Sequence, residues 1–188
     1  MREGLSDTPL HTPRLVLEPL LADHAEATYE QLRTIELYSF IPQNPPPDLP
    51  TVRARYRRLA ARRSPDGQQL WLNWIAWQRH DGTPVGTVEA TVYPNRTAAL
   101  AYMIFVPFQR RSYAREAVER VIERLIRDYG VDVVTAEIDT RNAASIAVIE
   151  RIGFERVATH RAADFFKGAI SDEYRYEYRP MTAPPRPS

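Results

Sequence analysis

The chain has 188 residues with 25 basic and 24 acidic side chains, a formal net charge of +1, so attachment to nucleic acid through bulk charge is not expected. It has no cysteine, which excludes disulfides, thiol nucleophiles, thiolate zinc sites and iron–sulfur clusters. No apolar run reaches the roughly 20 residues of a membrane span and the N-terminus carries no leader-like stretch, so a cytoplasmic protein without membrane contacts is expected.

In chain order, Arg14 to Glu18 alternates as a short strand, and Asp23 is placed to cap a helix through about Arg33 with Ala25, Tyr29 and Leu32 on one face. The proline-rich stretch from Ile41 to Pro50 reads as stiff loop, after which Thr51 is placed to cap a second helix. That helix carries Val52, Tyr56, Leu59 and Ala60 inward and a run of arginines elsewhere, either a solvated face or an anion-facing wall. Leu70 to Trp77, Pro84 to Tyr93 and Thr97 to Val106 read as three consecutive strands, the first two joined at Asp81-Gly82, which implies an antiparallel meander. From Tyr113 to Tyr129 the apolar residues recur at helical spacing up to a glycine stop at Gly130. A strand over Val131 to Ile138, a short helix capped by Asn142 and stopped at Gly153, and strands near Phe154 to Arg161 and Glu173 to Arg179 complete one domain over residues 1–180; residues 181–188 read as a disordered proline-rich tail.

Seven scattered glycines cannot make a Walker loop or a three-glycine dinucleotide turn, and the four histidines are too far apart for metal spacing, so no metal site is expected. Anion chemistry points instead to the segment leading into the long helix. Tyr113, Ala114 and Arg115 place no acidic side chain at its start, so the free amides and positive dipole end invite an external phosphate.

The run Gln109-Arg110-Arg111-Ser112-Tyr113-Ala114 resembles the acetyl-CoA signature of the GNAT acetyltransferase superfamily, Gln/Arg-x-x-Gly-x-Gly/Ala, and Asn142-Ala143-Ala144-Ser145 continuing to Gly153-Phe154 is similar to the family's second motif, an Asn-x-x-Ser helix ending in Gly-Phe. The element order from Arg14 to Arg179 resembles the RimJ/RimL-like branch. The resemblance implies an α/β fold with a mixed, mostly antiparallel central sheet flanked by helices, and direct transfer of acetyl from acetyl-CoA to a primary amine of a small molecule or a protein N-terminus. It also implies that Gln109, Arg110, Arg111, Ser112, Tyr113 and Ala114 hold the pyrophosphate, that the strand ending at Phe105 and Val106 holds the pantetheine arm and polarises the thioester, that Asn142 contacts that arm, and that Ser145 protonates the departing thiolate.

Three positions depart from the family pattern: Ser112 stands for glycine, Ile149 for an acid tyrosine, and Ala99 for a strand glutamate. Ser112 is expected as a helix cap in the β region. An amine near neutral pH must lose a proton before attack, and Glu89, on the polar face of its strand, is the first candidate for general base, with Glu137 and His160 in reserve. Asp164 to Tyr174 reads as a loop near the acceptor, where Asp172 or Glu173 could hold an ammonium group. Edge strands in folds of this resemblance often pair into dimers, so a homodimer is among the expectations. The alternative reading is a catalytically silent module of the same fold that binds acyl-CoA or a protein partner.

Overall fold

The computed structural model describes residues 7–180; the tail over 181–188 lies outside them. In chain order the elements are β1 (Leu10–His11), β2 (Leu15–Pro19), α1 (His24–Leu32), α2 (Leu49–Leu59), β3 (Leu70–Gln78), β4 (Pro84–Val92), β5 (Thr97–Ile104), α3 (Tyr113–Tyr129), β6 (Val133–Asp139), α4 (Ala143–Ile152), β7 (Glu155–Phe166) and β8 (Ala169–Tyr178), with 3-10 turns over Ile35–Tyr38 and Val106–Phe108. The eight strands form one sheet in the order β1-β2-β3-β4-β5-β6-β8-β7. All neighbours are antiparallel except β5 and β6, which run parallel around the α3 crossover.

Period-2 alternation sends the two halves of each central strand to different layers. Val88 and Ala90 of β4 and Ala98, Leu100 and Ile104 of β5 join Val118, Val121 and Leu125 of α3 in the larger core. Ile75 of β3 packs on the other face with Ala25 and Leu32 of α1 and Val52 and Tyr56 of α2. The two faces therefore carry different helices, and only an opening in the sheet can join them.

The α3 bounds agree with its periodicity, and Gly130 ends it at φ 66°. Elsewhere the local chemistry differs from expectation. Asp48, not Thr51, caps α2: its carboxylate accepts the Thr51 amide at 2.8 Å, and Pro50 occupies the first turn, where its missing N–H costs nothing. Asp23 precedes α1 with a helical backbone and no side-chain cap bond. The segment from Asp164 to Tyr174 is not a loop but the end of a long hairpin, with Phe165 opposite Ile170 and Phe166 opposite Ala169. Lys167 and Gly168 both turn at positive φ at its tip.

That hairpin is tied back to the body by the only lysine. Lys167 Nζ donates to the carbonyls of Tyr38, Ile41 (2.6 Å) and Gln43 (3.2 Å), so each ammonium hydrogen has an acceptor and the 38–43 loop is held against the hairpin.

Candidate active site

The sheet opens between β5 and β6. Their parallel pairing covers only Thr97–Ala99 against Val133–Thr135, and beyond it the strands separate. On the other side of β5 the ladder to β4 continues to Ile104. Two bonds fix its phase: Phe105 N–H donates to Val85 O and Tyr93 N–H donates to Thr97 O. By antiparallel alternation, odd residues of β5 bond β4 and even residues turn toward β6; the last rung of the parallel ladder takes the Leu100 amide, and beyond it the backbone groups of Tyr102 and Ile104 face the opening. The Ile104 carbonyl is taken by Gln109 Nε2 at 3.0 Å. This opening belongs to a cleft of about 550 Å³ whose walls include Tyr102, Ser112, Asn142 and Ser145.

At one end of the cleft lies the loop before α3. Arg110 (φ 61°) and Ser112 (φ 63°) adopt left-handed conformations on a chain otherwise at negative φ around them, as at Gln109 (φ −65°). Reversals of hand of this kind turn successive amides toward a common point and make an anion-binding concavity. Glu116 N–H makes the first bond of the helix, to Ser112 O, so the amides of Tyr113, Ala114 and Arg115 have no intrahelical acceptor. Ser112 is thus not the β-region cap expected: its backbone is left-handed at ψ 12° and its hydroxyl makes no cap bond. Nor is the first turn free of acid, because Glu116 lies in it. Its charge is engaged elsewhere, accepting Thr12 Oγ1 at 2.5 Å, the Arg14 amide at 2.8 Å and Arg14 Nε at 2.7 Å. Burial pushes the Glu116 carboxyl up, but these bonds outweigh it and hold it below its ordinary value. Arg14 also donates to the Arg111 carbonyl at 3.0 Å, fixing the loop from behind.

The second wall is the start of α4. Asn142 caps it by accepting the Ser145 amide at 3.1 Å, which holds Ser145 in the first turn beside the opening. Ser145 Oγ lies 2.8 Å from the hydroxyl of Tyr102, a β5 residue that sequence reasoning missed, and that hydroxyl is also 3.2 Å from the Ser145 carbonyl. Burial pushes the Tyr102 hydroxyl up to about 12, so it stays protonated at any working pH. Ile149 is wholly buried against the core. Behind the turn, Asp139 is held down at about 2 by the Arg141 guanidinium, against the opposing effect of burial and with a further bond from Ser171 at 2.7 Å.

Several expected residues stand apart from this cleft. Phe105 is in the core with its amide donating to the Val85 carbonyl and its carbonyl accepting Phe108 N–H; Val106 lies in the 3-10 turn with its carbonyl accepting Gln109 N–H. Gln109, Arg110, Ser112, Tyr113 and Ala114 line the cleft, whereas Arg111 is exposed beside Phe108. Glu89 is on the opposite face of the sheet from Ser145, half-buried next to Ala101 in the ladder and ion-paired to Arg55 at 2.9 Å. Glu137 is exposed beside Arg175, and His160 is exposed opposite Glu173 in the ladder. Asp172 is occupied by the Ala162 amide at 2.8 Å. Glu173 is half-buried, and burial followed by the nearby Glu137, Asp164 and Asp139 raises its carboxyl above the usual range. Of the arginines of α2, Arg53 pairs with Glu26 and Arg55 with Glu89, Arg57 and Arg58 are exposed, and none lines the cleft.

A doubly charged phosphate group suits the unpaired amides and Arg110 at one end of this cleft, and a thin arm bearing amides suits the opened edge of β5. Residues 14–155 match the family model for the acetyltransferase (GNAT) domain, and the chain belongs to that family. GNAT acetyltransferases take their acetyl group from acetyl-CoA, and this is an acyltransferase fold. No curated protein matches the chain. Among solved structures, it is similar to a ribosomal-protein α-N-acetyltransferase, RimL, in complex with coenzyme A, with a TM-score of 0.81 at 16% identity over 92% of this chain and 98% of that one. It is also similar to a ribosomal-protein alanine acetyltransferase from Vibrio fischeri (TM-score 0.79, 16% identity, 92% and 97% covered) and to a GNAT-family acetyltransferase from Bacillus anthracis (TM-score 0.79, 17% identity, 92% and 98% covered). Identities this low speak for the fold alone.

Proposed function

We propose that the protein transfers the acetyl group of acetyl-CoA to a primary amine, that of a small molecule or a protein N-terminus. The observation that carries this reading is the opening between β5 and β6, flanked on one side by the left-handed loop before α3 and on the other by Ser145. The amides from Arg110 to Ala114 hold the pyrophosphate, and the gap-facing backbone groups of Tyr102 and Ile104 hold the arm. One of those amides serves as donor to the thioester oxygen, where charge develops. Asn142 fixes Ser145 by capping α4, and the Ser145 hydroxyl meets the departing thiolate.

The acceptor enters from the far end, where Glu36, Leu37, Phe40 and Ile41 line the cleft. A carboxylate among apolar side chains suits a cationic amine carried on an apolar body, and a protein N-terminus is favoured by the similarity to ribosomal-protein acetyltransferases. Glu89, one strand away from the opening on the opposite face of the sheet and paired there with Arg55, is the carboxylate that would accept the amine's proton through water.

A thiol-release screen of amino acids, polyamines, aminoglycosides and N-terminal peptides, run beside calorimetric titration with acetyl-CoA, tests the reading. Free coenzyme A above background with at least one amine is expected. Acetyl-CoA binding with no release across the panel would favour the silent module.

A further inference from the structure

The family's second motif leaves Ser145 without the tyrosine that many members carry on the same helix, since Ile149 is there and buried. The structure supplies a phenol from a different element. Tyr102 comes from β5, its backbone faces the opening, and its side chain crosses to α4. We infer that Tyr102 is the positioning residue for Ser145, donating its hydrogen to Ser145 Oγ so that the serine's own hydrogen is turned toward the sulfur of the leaving thiol.

The geometry allows two arrangements. In one, the Tyr102 hydroxyl donates to the Ser145 carbonyl at 3.2 Å and accepts the Ser145 hydroxyl at 2.8 Å, which consumes the serine's proton internally. In the other, Tyr102 donates to Ser145 Oγ and the serine hydrogen points into the cleft. Rotating two hydroxyls converts one into the other without moving a heavy atom. A negative charge arriving at sulfur selects the second, because a chain of two donors ending on an anion is stronger than either bond alone. Without the phenol, a serine in the first turn of a helix turns its hydroxyl to a backbone carbonyl of the preceding turn.

This inference rests on the acetyl-transfer reading. In that reaction the ammonium first gives one proton to Glu89 through water, the freed lone pair forms the N–C bond, the C–S bond breaks with its electron pair on sulfur, and the second proton shed by nitrogen balances the one that ends on sulfur. Tyr102 keeps its proton throughout. A phenol titrating at about 12 does not protonate a thiolate whose ordinary value is about 8.5; it donates a hydrogen bond only.

The test uses the binary complex with coenzyme A, so no acceptor is required. The ultraviolet absorbance of the bound thiolate is followed against pH for wild type, Tyr102→Phe, Ser145→Ala and the double variant. Wild type should lower the bound thiol's pKa by about one unit, a tenfold shift in its ionisation, and either single variant should remove most of that effect. The double variant should lose no more than Ser145→Ala alone, which identifies action through the serine. Phenylalanine keeps the ring and its packing, so a purely structural tyrosine would leave the titration unchanged. A Tyr102→Phe curve superimposed on wild type overturns the inference, and so does an equal loss in the presence and absence of Ser145. Failure of the reaction reading has a separate signature: the titration behaves as expected, yet no amine releases coenzyme A.

Discussion

Replacing Ser112 by glycine tests whether the loop before α3 is built around left-handed residues. At φ 63° and ψ 12° a serine pays the Cβ penalty of the left-handed region, about 1–2 kcal/mol. Its hydroxyl makes no cap bond that glycine would lose. Glycine gives back part of the gain through the freedom it adds to the unfolded chain, about 0.5–1 kcal/mol. The net expectation is that Ser112→Gly stabilises the protein by about 0.5–1 kcal/mol. With a urea slope of about 2 kcal/mol/M, the midpoint should rise by about 0.3–0.5 M. Ser112→Ala is the control: it keeps the strain and removes the hydroxyl, and should leave the midpoint unchanged. Because the amide keeps its direction in all three proteins, acetyl-CoA affinity by calorimetry should stay within about tenfold, or 1.4 kcal/mol. A midpoint that falls in Ser112→Gly would refute the left-handed assignment and restore serine as a cap.

Ser145→Ala should lower kcat by about 10- to 100-fold with little change in KM for acetyl-CoA, because the hydroxyl acts on charge that appears only as the C–S bond breaks; steady-state kinetics with an unchanged kcat would remove the role. Glu89→Gln should slow turnover near neutrality and flatten the acidic limb of the kcat/KM profile, and an unaltered profile would transfer the proton to another group. Asp139→Asn should cost about 2 kcal/mol at pH 7, from a carboxyl near 2 in the folded state against an ordinary 3.8. Since the folded value is the lower one, that stability is present above about pH 4 and lost as pH falls through 2, so urea midpoints of the two proteins should converge on acidification; a gap that persists undiminished would contradict it. Lys167→Met should lower stability by about 1–3 kcal/mol and raise KM for the amine more than for acetyl-CoA, because the 38–43 loop it holds contributes Phe40 and Ile41 to the acceptor end; equal changes in both KM values would place its effect elsewhere.

Long periodic elements were legible in the sequence and short polar contacts were not. The apolar spacing of Val118, Val121, Ile122 and Leu125 marked the bounds of α3, and the alternation in β3, β4 and β5 marked the meander, because each pattern repeats over many residues. Motif resemblance pointed to Gln109 to Ala114 and to Asn142 and Ser145, and the cleft brings most of these together. Tyr102 carried no such signal: strand position alone does not say which helix a side chain will cross to. The cap of α2 was misread as Thr51 where Asp48 caps three residues earlier, since the position depends on backbone angles that spacing does not report. The hairpin around Lys167 was hidden by its first strand, for β7 is mostly solvent-facing and leaves little apolar periodicity to read.

The carbonyl cradle around Lys167 also bears on how this chain meets acylating chemistry. Every other basic side chain in the sequence is a guanidinium or an imidazole, and a guanidinium stays protonated at any pH at which the protein folds, with no lone pair to offer. The one side-chain amine has all three hydrogens committed to Tyr38, Ile41 and Gln43, and it could act as a nucleophile only after leaving that cradle and shedding a proton. Lysine-directed reagents should therefore label the folded protein sluggishly at this position, and a covalent tag placed there would report that the hairpin had let go.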